Sequence, residues 1–227
     1  MAPDALLLAL DTSTDRGSVA LVRLRGDGAL ETVAASEYEA EPGHAERLLP
    51  ALDALFAGAG LRPGALGAVA VGVGPGSFSG LRVGVTTAKA LGLAVGARVV
   101  GVVGLAALAA ASGASEGLVV ALLDARRGEV FAAAYRAGAW LEPAEPPRLL
   151  ALDEARRWAA SLPGPLTLVG EGAPLVDPAA ARAPAFPPAL AVASLGVALL
   201  ARGDDASVAV EPLYVRPPNA TLPAPRA

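Results

Sequence analysis

The chain has 227 residues, 54% of them hydrophobic and 18% charged, with a formal net charge of -4 and a pI near 5.1. The acidic balance argues against a protein that grips a phosphate backbone unaided, and the lack of cysteine excludes a disulfide framework, a thiolate nucleophile and a zinc site built on thiolates. No apolar run reaches the roughly 18 residues that a membrane-spanning helix needs, and Met1-Ala2-Pro3-Asp4 carries no basic stretch ahead of Leu6, so a soluble, cytoplasmic protein is expected.

Residues 5 to 10, 18 to 24 and 29 to 35 read as three short strands joined by Thr14-Asp15-Arg16-Gly17 and Gly26-Asp27-Gly28. An amphipathic helix follows at about 44 to 58, with Leu48, Leu52, Leu55 and Phe56 on one face and Pro50 near its first turns. A strand at 66 to 73, a glycine-rich loop, a helix from about 78 to 94 and a strand at 97 to 103 complete the order βββαβαβ.

The chain then partly repeats itself. "LLLALDTSTDRGSVALV" from Leu6 and "LVVALLDARRGEVFAAAY" from Leu118 both run apolar strand, Asp, Gly-containing turn, second strand, so Asp11 corresponds to Asp124. A small-residue helix at 104 to 112 separates the copies; a helix at 152 to 160, a strand at 166 to 169 and a helix at 189 to 201 give a reduced second unit. The expected organisation is α/β, with units at 1–103 and 104–210, a tail at 211–227 and a cleft between the units.

Two such units, each opening on an Asp in its first hairpin, resemble the actin-like ATPase (ASKHA) superfamily, whose hairpins hold ATP phosphates on backbone N–H groups. The candidate cleft residues are Asp11, Thr12 and Ser13 of the first hairpin and Asp124 of the second, with Gly170 and Gly172 similar to the superfamily's adenosine loop or else a structural turn. After Asp124 stand Ala125-Arg126-Arg127 where a phosphate hairpin needs glycines. These arginines either fill the phosphate volume or point to solvent, and half of the ATP grip is degraded either way.

The loop "VGVGPGSFSGLRVGVTTAKALG" from Val71 is no P-loop, since Gly-Lys-Ser/Thr is missing, and it departs from the dinucleotide fingerprint because Pro75 removes a donor. Its helix carries Gly80, Gly84, Ala88 and Gly92 at four-residue intervals. Such a face lets another element approach closely, either the chain's own sheet or a partner's helix. Ser77 and Ser79 read as helix caps rather than nucleophiles, because no Gly-x-Ser-x-Gly elbow surrounds them.

"LALDTSTDRGSVAL", "GHAERLLPALDALF", "VGVGPGSFSGLRVGVTTAKALGLA", "LLDARRGEVFAAAY" and "PLYVRPP", in this order, resemble the TsaB (YeaZ-like) family of bacterial tRNA threonylcarbamoyladenosine biosynthesis proteins. The resemblance implies a non-catalytic subunit that binds its catalytic paralogue TsaD, acts with the ATPase TsaE, and meets tRNA only through that complex. It implies pairing through the N-terminal unit. The expected interface is Leu48, Leu52, Phe78, Gly80, Arg82, Gly84, Thr87 and Ala88, with self-association through the same surface when the chain is alone. No catalytic residue, metal or cofactor is expected beyond weak binding of ATP or ADP. His44, the only histidine, reads as a cap or surface residue, and Leu48 stands where a two-histidine metal helix needs its second ligand. The alternative is an autonomous ATPase or phosphotransferase using Asp11 and Asp124, against which the altered second hairpin argues.

Overall fold

The computed structural model describes residues 4–138, 141–180, 183–203 and 210–216. Strands β1 (Leu6–Asp11), β2 (Arg16–Leu24) and β3 (Leu30–Glu39) form an antiparallel meander. Helix α1 (His44–Ala59) runs unbroken through Pro50 and, after a turn at Pro63–Ala65, strand β4 (Leu66–Gly74) pairs with β1 in parallel. Helix α2 (Phe78–Val95) and strand β5 (Arg98–Val103) complete a sheet of order β3-β2-β1-β4-β5. The apolar run of β1 is explained by burial on both faces. Leu6, Leu8 and Leu10 pack under α1 and α2, while Leu7 and Ala9 face the opposite side.

Helix α3 (Gly104–Ala111) leads to β6 (Leu118–Arg126), β7 (Glu129–Arg136), β8 (Glu142–Ala151), α4 (Leu152–Ser161), β9 (Leu166–Val169) and the single turn α5 (Ala173–Val176). The second sheet, β8-β7-β6-β9, repeats the order and directions of the first four strands. The repeat is therefore more complete than the sequence reading expects. Strand β8, absent from that reading, holds Pro143, Pro146 and Pro147. It lies at the edge of the sheet, where a missing N–H can face away from the ladder. The reduction falls at the far end of the unit, which among the described residues has no counterpart of β5 and only α5 in place of α2.

Helix α3 lies between the lobes, with Ala107 on the first sheet's core and Leu105 and Leu108 on the second's. The last helix, α6 (Ala189–Ala201), crosses back. Its Val192, Ala193 and Leu200 pack with Leu7, Ala9 and Val100 of the first lobe, so its place in space differs from the unit to which chain order assigns it.

Candidate functional site: the cleft between the two hairpins

The β1–β2 hairpin is fixed from beneath. Asp11 Oδ1 accepts from the Ser13 backbone N–H at 2.8 Å and the Ser13 hydroxyl at 2.6 Å. Asp11 Oδ2 is buried and unpaired. A Cβ on Gly72 would stand 1.8 Å from that oxygen, so only glycine leaves room for the carboxyl. Burial pushes this carboxyl above its ordinary value, with the Ser13 hydrogen bonds working against the shift. Thr12 donates to Gly80 O at 2.8 Å and is also buried. Both side chains are buried beneath the hairpin and neither lines the cavity, a correction to their expected place in the cleft.

The buried Asp11 carboxyl makes stability depend on pH. The stability this carboxyl contributes is fully present below its unfolded value of 3.8 and is lost as pH rises through the raised folded value. Asp11→Asn should therefore flatten the profile of melting temperature against pH above about 4 and leave the protein at least as stable near neutrality. A profile as steep as the parent's would show that Asp11 is not the group responsible.

His44 is no surface cap. It is buried, its Nε2–H donates to Thr14 O at 2.7 Å, and its Nδ1 accepts from the Tyr38 hydroxyl at 3.1 Å. The carbonyl can only accept, which assigns the proton to Nε2. Tyr38 lies directly across the ladder from Gly17, over which its ring sits. Burial pushes the Tyr38 phenol well above its usual range, and nearby Asp11 adds to the shift. Neither ring nitrogen of His44 has a lone pair left for a metal or a proton in transit. Among the described residues no three His, Cys, Asp or Glu side chains gather as a metal-ligand set.

In front of the hairpin lies a cavity of about 610 Å³. Ser13, Thr14 and Asp15 line one side, Gly76, Ser77 and Phe78 at the start of α2 another, and Asp124, Arg126 and Glu171 of the second lobe face them. Arg126 and Arg127 adopt left-handed backbone conformations, φ 64° and 58°, ahead of Gly128 at 77°, a turn that costs a non-glycine residue about 1 kcal/mol or more. The Arg126 N–H donates to Asp124 Oδ1 at 2.7 Å, and its guanidinium bridges Asp124 at 3.1 Å and Asp15 of the opposite hairpin. Arg126 takes something of both readings left open for the arginine pair: it lines the cavity, and its side chain is 61% exposed. Its cation stands between the carboxylates of the two hairpins, so they grip each other where a phosphate hairpin would present free donors. Burial also pushes the Glu171 carboxyl up, with Asp124 and Asp15 adding to the shift against Arg126. Three carboxylates around one shared guanidinium oppose a polyphosphate.

Of the sequence-selected cleft residues, the structure brings Ser13 and Asp124 to the cavity and leaves Asp11, Thr12, Gly170 and Gly172 out of its lining. A Cβ on Gly170 would stand 2.0 Å from Leu122 O, and one on Gly172 would stand 3.0 Å from Leu123 C. Both glycines are thus required by close approach to β6, the structural reading of that turn. Glu171 between them reaches the cavity; its position between two packing glycines was the signal. A further wall, Leu213 to Arg216, comes from the late "PLYVRPP" segment, which no periodicity marked.

The small-residue face of α2 turns inward. A Cβ on Gly80 would stand 2.1 Å from Thr12 O and one on Gly84 would stand 2.2 Å from Thr12 Oγ1, while Ala88, Leu48 and Leu52 sit in the first lobe's core. These five expected interface residues are corrected to internal packing: the hairpin fills the space beside Gly80 and Gly84, and the other three are taken up by the apolar core between helices and sheet. Phe78 and Arg82 are exposed and Thr87 is half-buried. Ser77 caps α2 through Gly80 N–H at 3.4 Å, and Ser79 makes only a 3.4 Å contact with the Ser77 hydroxyl.

Two βββα-type lobes facing each other through Asp-bearing hairpins define an actin-like ATPase fold. Residues 33–163, more than half of the chain, match the family model "TsaD: tRNA N6-adenosine threonylcarbamoyltransferase". Two solved structures from Pseudomonas aeruginosa are similar at 30% identity and a TM-score of 0.77. One, described as an uncharacterized protein with similarity to peptidase YeaZ, aligns over 93% of this chain and 100% of its own; the other, YeaZ, over 92% and 99%. No curated protein matches the chain. The chain belongs to the YeaZ (TsaB) family, which shares the TsaD-type fold. Membership ties it to the tRNA threonylcarbamoyladenosine modification system.

Proposed function

We propose that the chain is a non-catalytic subunit of the threonylcarbamoyladenosine-forming complex, which binds and supports a TsaD-type paralogue and acts with the TsaE ATPase in the cytoplasm, meeting tRNA only within that assembly. The observation that carries this reading is Arg126 between Asp15 and Asp124, which sets a side chain and two carboxylates where an autonomous ATPase or phosphotransferase presents free backbone donors to phosphate. The subunit needs no cofactor of its own, and ATP or ADP binds at most weakly at the cavity. A peptidase role lacks its chemistry here, since both His44 nitrogens are engaged and Ser77 serves as a cap. No helix among the described residues is long and apolar enough to cross a membrane.

The partner surface of this reading is the outer face of α1 and α2. Leu49 is 57% exposed, Leu93 88% and Phe78 45%, three of the six exposed large hydrophobic side chains among the described residues. Apolar side chains held outward on a rigid two-helix layer favour a protein partner over solvent, and the isolated chain self-associates through them. Leu49→Glu and Leu93→Glu should each weaken affinity for the paralogue by about tenfold or more with melting temperatures unchanged, and should lower tRNA modification by the reconstituted complex. The chain with the activated threonylcarbamoyl intermediate but without paralogue should give no modified tRNA. Modification under that last condition would overturn the proposal.

A further inference from the structure

The segment 210–216 crosses from one lobe to the other along the cavity. Val210 is buried in the first lobe's core and its carbonyl accepts from Lys89 at 3.3 Å. The Leu213 N–H donates to Val73 O at the end of β4 at 2.7 Å. Tyr214 lies against Phe78 with ring centres 4.9 Å apart, and its hydroxyl accepts from Arg82 Nε at 3.1 Å, while that guanidinium covers the Phe78 ring at 4.2 Å. One residue later the contacts change lobe. Val215 packs on the second lobe's cluster, and Arg216 pairs with Glu129 at the start of β7 and lies 5.9 Å from the Phe131 ring.

We infer that this segment is a strap through which closure of the two lobes shapes the partner surface at the start of α2, so that the chain presents its full docking surface only with its lobes closed. The inference rests on α2 being the partner-facing helix. Phe78 and Arg82 stand on that helix's exposed side, and both are held by Tyr214, itself 41% exposed beside them. Tyr214 is in turn positioned by neighbours anchored to opposite lobes: Leu213 on β4 and Arg216 on β7. Pulling the lobes apart therefore moves Tyr214 off Phe78 or detaches Arg216 from Glu129, and either event alters the aromatic stack that a partner meets. Coupling of this kind is reciprocal, so a partner that seats on the stack also favours closed lobes.

Glu129 provides the test, because it lies on β7 of the second lobe whereas the partner surface is on α1 and α2. Affinity for the TsaD-type paralogue and hydrogen exchange of the Leu213 amide are measured for the full chain and for Glu129→Gln, Tyr214→Ala, Leu49→Glu and the double exchange Glu129→Arg with Arg216→Glu. Expected for Glu129→Gln and Tyr214→Ala is a loss of affinity of about fivefold or more together with faster exchange at Leu213. The double exchange, which restores the ion pair with its charges reversed, should recover both. A loss with Leu49→Glu but none with Glu129→Gln overturns the strap and leaves the partner surface standing, while no loss with any variant overturns both. Weakened binding with the Leu213 amide still protected, or a double exchange that fails to recover, also overturns the strap.

Discussion

Gly80→Ala is expected to cost about 1–3 kcal/mol of stability, lowering the melting temperature by about 2–12 °C in a chain of this size, or to prevent soluble expression. The added methyl would stand 2.1 Å from Thr12 O and 3.1 Å from the His44 ring. Its nearest neighbour is a backbone oxygen of the β1–β2 hairpin, which is itself held by Asp11, Ser13 and His44, so relief requires moving α2 or the hairpin as a whole. Gly84→Ala meets a side-chain hydroxyl, Thr12 Oγ1, at 2.2 Å. That group can rotate at the cost of its hydrogen bond to Gly80 O, so the effect should be smaller. Ser79→Ala, on the exposed side of the same turn, should change the melting temperature by no more than a degree or two. The order Gly80, Gly84, Ser79 in thermal melts checks the claim. Equal and small effects at all three would return the small-residue face to the partner interface.

Glycines at four-residue spacing declare a close approach, and that much was legible in the sequence. What approaches was not, because a hairpin from the same chain and a helix from another chain impose the same demand for small side chains. The residues that separate the cases are Phe78, Arg82 and Leu93, exposed on the other side of α2. The same limit applies at Gly170 and Gly172. A nucleotide and a neighbouring strand both require glycine, and here the strand is β6.

The repeat was legible because both copies keep an apolar strand buried on two faces ahead of an Asp, and this fixed the fold class and the correspondence of Asp11 with Asp124. Strand β8 was not, since Pro143, Pro146 and Pro147 read as a break unless the segment is known to lie at an edge. The pairing of Arg126 with Asp15 joins residues 111 positions apart; the sequence shows the loss of glycines after Asp124, and only the fold supplies the carboxylate that takes up the charge. The two oriented aspartates of the superfamily have thereby diverged. Asp11 is a buried carboxyl serving the hairpin from below, and Asp124 pairs with Arg126 of its own hairpin, whose guanidinium also reaches Asp15 across the cleft.

His44→Ala is expected to lower stability by about 2–4 kcal/mol, more than the roughly 1 kcal/mol of a capping residue. The substitution deletes a buried ring, strips Thr14 O of its donor and leaves the half-buried Tyr38 hydroxyl without its acceptor. The loss is not confined to α1, because Thr14 lines the cavity and its hairpin supports the first turns of α2 through the Ser77 N–H bond to Ser13 O at 2.7 Å. Hydrogen exchange should therefore rise at the amides of residues 13 to 16 and 77 to 81 as well as at the start of α1. His44→Gln, whose amide can donate to Thr14 O while its oxygen accepts from Tyr38, should recover part of the melting temperature, whereas His44→Phe, which fills the volume without hydrogen bonds, should not. A His44→Ala protein that melts with the parent, or a His44→Phe protein that restores it, would show that the ring contributes packing alone and that the hairpin is held by other contacts.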